Sequence, residues 1–424
     1  MSTYAIIGGS LWGNRGAEAM IATAVGRVRD RDPDARFLIM SYMPKRDREL
    51  VVDTQVAVVD AGPKMSVLVH LPFALMSWLT SRLGLRLPEV FLPRTVRQLR
   101  RCRALLDVSG ISFHDGRLAV VAYNLVCLWP ALLLGVPVVR LSQAMGPFEQ
   151  PLNRFPARQM MQRAAHTFVR GRCTAEFVEG LGVAEGRWSI APDVAFAYRS
   201  EDSLTSENEG LVSQVVRVMR RQEVVASRPV ALVPSSLVLK KTADEGRDYV
   251  KLLRMVIAHL HASGHHVLVL PNATRAGVDT LRNNDIVAID RLRQLIEIDP
   301  GGVDPGLITY VDFDLNTASI RTLLDRCELV ITSRFHAMVA GLSLGIPTLV
   351  LGWSHKYREV LEMFGCEDDA VDFAEADTGL VHMVDRLLEQ NALVEKRIRD
   401  ALTSVIESAE AQFDVLDQLP PSSR

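Results

Sequence analysis

The sequence predicts an α/β protein built of two facing Rossmann-like domains, with the ligand cleft between them. Three observations lead there. Apolar runs of strand length alternate with helical patterns almost throughout, the mark of parallel, doubly wound sheets. The alternation breaks across a polar stretch at 199–228 and then begins afresh. One unit also occurs twice, as ALLLGVPVVRL at 131–141 and GLSLGIPTLVL at 341–351. Each copy reads as helix, glycine stop, branched residue, proline and buried strand. Glycine supplies a left-handed helix cap, and proline starts a strand where no ladder N–H is needed. Ligands of such sheets bind at the carboxyl ends of the strands.

The elements follow in order. Tyr4–Ile7 is a strand entering the glycine-rich turn GGSLWGNRG, and a helix runs from about Gly16 to Val28. RFLIMS at 36–41 and ALLDV at 104–108 are strands, the second ending in SGISFHDG. Pro137–Leu141 is a strand ending in SQAMGPF, and His166–Val169 is a strand ahead of a helix starting near Cys173. Residues 199–228 read as a linker with one amphipathic helix. The second series has strands at 231–236, 265–272 and 307–312, with a helix over roughly 245–262. A strand-to-helix passage at 329–338, a strand at 348–353 and a helical stretch at 378–413 complete it. The expected division is a first domain 1–198, a linker 199–228, a second domain 229–385 and a C-terminal helix and tail 386–424.

Bulk properties narrow the function. With 424 residues, 48% hydrophobic and 23% charged, the chain can fill two cores. A formal net charge of −2 gives no global basic field for nucleic acid, so any anion site is local. Five scattered cysteines without a C-x-x-C pair argue against structural zinc and for a reducing compartment. The N-terminus lacks the basic region of a secretory signal. Two apolar stretches invite a membrane reading. The one at 118–141 is interrupted by Asn124, Pro130, Gly135 and Pro137. The one at 63–93 is broken by His70, Pro72, Gly84 and Pro88. Neither is expected to span a bilayer, and the second is expected to pack on the first domain.

The segment Thr332-Ser333-Arg334-Phe335-His336-Ala337-Met338 carries the strongest chemical signal. Ser333 suits a helix N-cap, which would place Arg334 and His336 in the first turn, where backbone N–H groups favour an anion. A cation there is unfavourable unless an anion compensates it, and a guanidinium grips a carboxylate or phosphate at two points. GWSHKYRE at 352–359 follows the next strand, so Lys356 is expected at the same sheet edge. The glycine-rich turn brings Asn14, Arg15 and Glu18, with Asn14 and Glu18 on one face if both are helical. It lacks the G-x-G-x-x-G spacing and the P-loop Lys-Ser/Thr. His114 in SGISFHDG, Gln143 in SQAMGP, and Arg170 and Arg172 in VRGR each follow a strand of the first half.

Taken together, the opening strand with GNRGAEAM, SGISFHDG, SQAMGPF, VRGR leading to APDVAF, and SRFHAMVAGLSLGIPTLVL with the trailing HKY resemble the polysaccharide pyruvyl transferase family over roughly residues 4–360. The resemblance implies a GT-B-type fold, the first domain on the acceptor side and the second binding the donor. It implies transfer of pyruvate from phosphoenolpyruvate to a sugar of a cell-surface polysaccharide or glycolipid, as a ketal, with release of phosphate. Arg170, Arg334, His336 and Lys356 would form the donor-binding and catalytic set. VRGR lacks the acidic residue often found after the first arginine, so the choice between Arg170 and Arg172 stays open. A histidine titrating near neutrality suits protonation of the donor methylene, which points to His336. Asn14, Glu18, Gln143 and His114 would line the substrate site, with no metal and no cofactor. The implied setting is cytoplasmic, with a lipid-linked acceptor and peripheral contact at the inner face of the membrane left open. Two alternatives remain: a nucleotide-sugar-dependent glycosyltransferase of the same architecture, and a catalytically inactive glycan-binding relative.

Overall fold

The computed structural model describes the chain apart from residues 1, 86, 117, 207, 223–227, 276–282, 353–354, 373–378 and 421–424. It contains two compact units. The first comprises Met1–Leu11, Ala17–Thr205 and Ile406–Arg424, and the second Trp12–Gly16 and Ser206–Val405.

The first unit holds a sheet of β1 (Thr3–Ile7), β2 (Arg36–Ser41), β3 (Val56–Asp60), β4 (Ala104–Asp107), β5 (Val138–Gln143), β6 (His166–Val169) and β7 (Trp188–Ile190). Their order is β3-β2-β1-β4-β5-β6-β7 and the pairings are parallel. Central strands such as Ala5-Ile6-Ile7 and Leu105-Leu106 are buried, as a sheet covered on both faces requires. The strand order reverses between β1 and β4.

The second unit repeats this plan with β8 (Val230–Val233), β9 (Val267–Val269), β10 (Ile308–Tyr310), β11 (Leu329–Thr332), β12 (Thr348–Leu351) and β13 (Ala370–Val371). The order is β10-β9-β8-β11-β12-β13, again parallel, and it reverses between β8 and β11. Its core includes Val233, Leu268, Val311, Leu323, Val330 and Ala337. The repeated Gly-x-Pro device acts alike in both units. Gly135 (φ +74°) and Gly345 (φ +77°) close the helices Leu118–Leu133 and Phe335–Ser343. The following prolines then offer carbonyls to the neighbouring strand, from Leu105 N to Pro137 O at 2.8 Å and from Val330 N to Pro347 O at 3.0 Å.

The domain limits differ from those expected. The stretch 199–228, expected as a linker with one amphipathic helix, contains the helix Glu209–Gln222. Asp202 pairs with the buried Arg27 in the first unit at 2.8 Å, while Val215 and Met219 of the helix Glu209–Gln222 join the second unit's core. The C-terminal stretch is divided too, because Gln412 is buried in the first unit, accepting from Ser142 N at 3.1 Å and donating to Pro192 O at 3.0 Å. The edge strands β3, β7 and β13 were not anticipated. The stretch 63–93 is helical over Pro63–Met65, Ser66–His70 and Leu71–Arg82. Among the described residues no helix is long and apolar enough to cross a membrane.

Candidate active site

The carboxyl ends of β8 and β11 flank the switch point of the second sheet, the place where ligands of doubly wound sheets bind. β8 runs into Ser235 and Ser236, and β11 runs into Ser333 and Arg334. Arg334 reaches across to Asp285, just ahead of the helix Ile286–Ile298. Its Nε lies 3.0 and 2.9 Å from the two carboxylate oxygens, its Nη2 also meets Oδ1, and Nη2 donates to Ser236 Oγ at 3.1 Å. Asp285 is fully buried and Arg334 is 14% exposed. The same carboxylate accepts the backbone N–H groups of Ser236 (2.9 Å), Asn272 (3.2 Å) and Ala273 (2.9 Å). Asp285 therefore ties the loops after β8, β9 and β11 to one point.

This arrangement corrects the expected cap. Arg334, not Ser333, is the N-cap of the helix Phe335–Ser343, with φ −112° and ψ 125°. Ser333 Oγ instead accepts from the Tyr249 hydroxyl at 2.7 Å, and burial raises the Tyr249 pKa, keeping the phenol a neutral donor. The anion that compensates a cation at this helix start comes from the chain itself, as Asp285. Arg334 consequently does not face water as a lone charge.

His336 sits in the first turn of that helix, its ring 5.2 Å from Phe335 in an edge-on arrangement. Gly16 lies against it so closely that a Cβ there would fall 2.1 Å from His336 Nδ1. The glycine-rich turn and the Arg-x-His element thus meet within the second unit. Trp12–Gly16 is held there by Arg15 N bonding Asn272 O at 3.3 Å and by Thr317 Oγ1 bonding Arg15 O at 2.9 Å. Asn14 precedes the helix Arg15–Arg29 and its Oδ1 accepts from Gly16 N at 3.2 Å. Lys356, in the first turn of the helix His355–Glu362, holds its Nζ 5.6 Å from the Phe335 ring centre and 5.2 Å from that of Tyr357. Tyr357 donates to Ser333 O at 3.4 Å, joining this loop to the one after β11. Asn14, Arg334, His336 and Lys356 therefore belong to one neighbourhood.

The remaining expected residues lie in the first unit. Asn14 lies just outside the helix Arg15–Arg29, and Glu18 within it is 2% exposed and accepts from Thr205 Oγ1 at 2.9 Å. Gln143 is fully buried, with its Oε1 accepting from Ser112 at 2.8 Å and Arg140 at 3.0 Å, and its Nε2 donating to Asp107 O and Leu141 O. That network surrounds the Arg140–Asp107 ion pair, so Gln143 braces the ends of β4 and β5 and has no surface to offer a ligand. Arg170 is 5% exposed, paired with buried Asp193 and donating to Gly110 O at 3.2 Å. Arg172 starts the helix Arg172–Glu179 and is exposed. His114 is exposed, with Nδ1 bonded to Asp115 O at 2.7 Å.

Asp285, Ser236 and Tyr249 were not identified from the sequence. Asp285 has one legible cue, its position in NND directly before an apolar helical run. Its partners come from three separate segments, so only folding reveals its role.

A model of the polysaccharide pyruvyl transferase family matches residues 14–355, spanning the elements from Asn14 to the start of the Lys356 helix. Among solved structures, a UDP-GlcNAc 2-epimerase from Neisseria meningitidis, bound to UDP-GlcNAc, is similar with a TM-score of 0.58 and 10% identity, covering 99% of this chain and 100% of that one. Anabaena Alr3699/HepE in complex with UDP-glucose is similar at 0.55 and 10% identity, covering 99% and 98%. A glycosyltransferase from Rickettsia africae is similar at 0.56 and 11% identity, with the same coverage of 99% and 98%. At such identities the likeness shows the fold, a GT-B-type pair of parallel-sheet α/β domains. On the extent of the family match, the chain belongs to the polysaccharide pyruvyl transferase family.

Proposed function

We propose that this protein transfers pyruvate from phosphoenolpyruvate to two hydroxyls of a sugar in a cell-surface polysaccharide or glycolipid, forming a ketal and releasing phosphate. The observation that carries this reading is the gathering of Arg334, His336, Lys356 and Asn14 at the switch-point edge of the second sheet, within the family-matched segment. The donor has a carboxylate and a phosphate, and both need cations in a small volume. Arg334 has Nε and Nη2 on Asp285 and Ser236, so Nη1 is the atom that would meet a donor oxygen. Lys356 supplies a second charge from the adjoining loop. The family resemblance also assigns Arg170 or Arg172 to the donor; Arg172 is exposed, while Arg170 is paired with Asp193.

The reaction balances without a co-reactant. Protonated His336 gives its proton to the donor methylene carbon, and carbon 2 becomes electrophilic. One sugar hydroxyl adds there and loses its proton, and the C–O bond to phosphate breaks with the electron pair leaving on phosphate. The neighbouring hydroxyl then adds to carbon 2 and closes the ketal; of the two protons the hydroxyls give up, one restores His336 and the other is taken by the released phosphate. Arginine and lysine stabilise the phosphate as its charge develops.

The neighbours that hold UDP-GlcNAc or UDP-glucose favour a second reading, nucleotide-sugar-dependent glycosyl transfer. Incubation with labelled phosphoenolpyruvate and a panel of glycans separates the two. Release of inorganic phosphate with label retained on the glycan supports pyruvyl transfer. Release of nucleoside diphosphate from a nucleotide sugar, with phosphoenolpyruvate untouched, overturns it.

A further inference from the structure

The helical stretch over Ser66–Arg82 is inverted relative to an ordinary surface helix. Its buried positions are Ser66, His70, Ala74 and Ser77, spaced as one helical face. Ser66 Oγ donates to Ala61 O at 3.1 Å and His70 Nε2 bonds Thr95 Oγ1 at 3.1 Å, so polar groups anchor the inward side. The outward side carries Leu68, Leu75, Met76 and Leu79, and Leu68 is 70% exposed. Beyond the helix, Val90 and Phe91 are exposed by 76% and 64%. Large apolar side chains exposed along one helix face mark an interaction face.

Charge identifies the partner. Residues 63–101 contain seven basic side chains and one acidic, Glu89, in a chain whose formal net charge is −2. Glu89 is itself paired with Arg101. Lys64, Arg82 and Arg94 are exposed within this stretch, and Arg82 lies 5.3 Å from the Trp78 ring centre. An apolar face set among cations complements an anionic bilayer, whose acyl boundary takes the leucines and whose headgroups take the basic residues. The helix Leu71–Arg82 is 12 residues long, too short to span.

We infer that the first unit docks on an anionic phospholipid bilayer through the outward face of Ser66–Arg82 and the adjoining Val90–Phe91, with the helix lying in the plane of the interface. This does not rest on the pyruvyl-transfer reading and can fail without it.

The test is co-sedimentation of the full chain with vesicles of phosphatidylglycerol and phosphatidylcholine in equal parts, and of phosphatidylcholine alone. The protein pellets with the anionic vesicles and stays in solution with the neutral ones. The double variant Leu68→Glu/Leu79→Glu abolishes pelleting, with an unchanged thermal melt because both side chains already face outward. Arg82→Gln and Arg94→Gln each weaken partitioning about fivefold, one cation's share of the attraction. Brominated phosphatidylglycerol quenches a fraction of tryptophan emission that is lost in Trp78→Phe. Equal pelleting with both vesicles, or none with either, overturns the inference. So does a dimer in sedimentation velocity that the Leu68→Glu/Leu79→Glu variant dissolves, since the face would then join two copies.

Discussion

Replacing Arg334 with alanine tests whether the proposed donor clamp is also a structural element. The substitution removes three contacts to Asp285 and one to Ser236, leaving a fully buried carboxylate without its counter-ion. Breaking a buried pair by deleting one partner costs about 3–5 kcal/mol. The three backbone N–H groups on Asp285 still hold the carboxylate, which places the expected loss near the lower end, about 3 kcal/mol. For a unit of roughly 200 residues each kcal/mol shifts the melting temperature by about 2–4 °C, so the second unit should melt about 6–12 °C earlier. Donor affinity should fall as well, by roughly tenfold to a hundredfold for one charge-assisted bond. Arg334→Lys should keep part of the stability and little of the affinity, because a single ammonium cannot hold Asp285 as the fork does and also reach a donor oxygen. Differential scanning calorimetry and phosphoenolpyruvate titration on both variants read the two effects separately. A melt within 1 °C of wild type would refute the electrostatic role of the Asp285 pair. A destabilised variant that binds donor at wild-type strength would refute the clamp.

Three further outcomes are expected. His336→Ala should lower turnover by roughly a hundredfold to ten-thousandfold while leaving donor binding largely intact, and near-wild-type turnover would remove it as the general acid. Gly16→Ala, ordinarily favourable inside a helix, should instead reduce turnover and cost about 1–3 kcal/mol of stability, because its Cβ would fall 2.1 Å from His336 Nδ1; a stabilised and fully active variant would disprove that packing. Burial, with a smaller contribution from His261, lowers the His266 pKa from 6.5 to about 4, so the unfolded chain binds the extra proton first and stability should decline as pH falls from about 6.5 towards 4. Urea titrations across that range should show a shallower decline in His266→Asn, and an identical slope would exclude His266 as a source.

The sequence by itself determined the α/β class and most central strands, because buried parallel strands are short apolar runs between helical patterns. Its Gly-x-Pro repeats also carried the likeness of the two sheets, since both glycines adopt positive φ and both prolines offer only a carbonyl to the ladder. It placed Arg334, His336 and Lys356 after adjacent strands, a matter of local order along the chain. The edge strands β7 and β13 were missed because they are only three and two residues long, β3 was missed although VAVVD is a five-residue strand, and the limits of the two units were missed because the chain crosses between them at Trp12–Gly16 and again in its C-terminal stretch. Only the tertiary structure decided which charges are paired. Asp285 meets Arg334 from 49 positions away, Asp193 meets Arg170 from 23, and Gln143 closes a network with Asp107 from 36. A linear pattern records which groups a protein owns, but the free energy of a buried charge depends on what folding brings beside it.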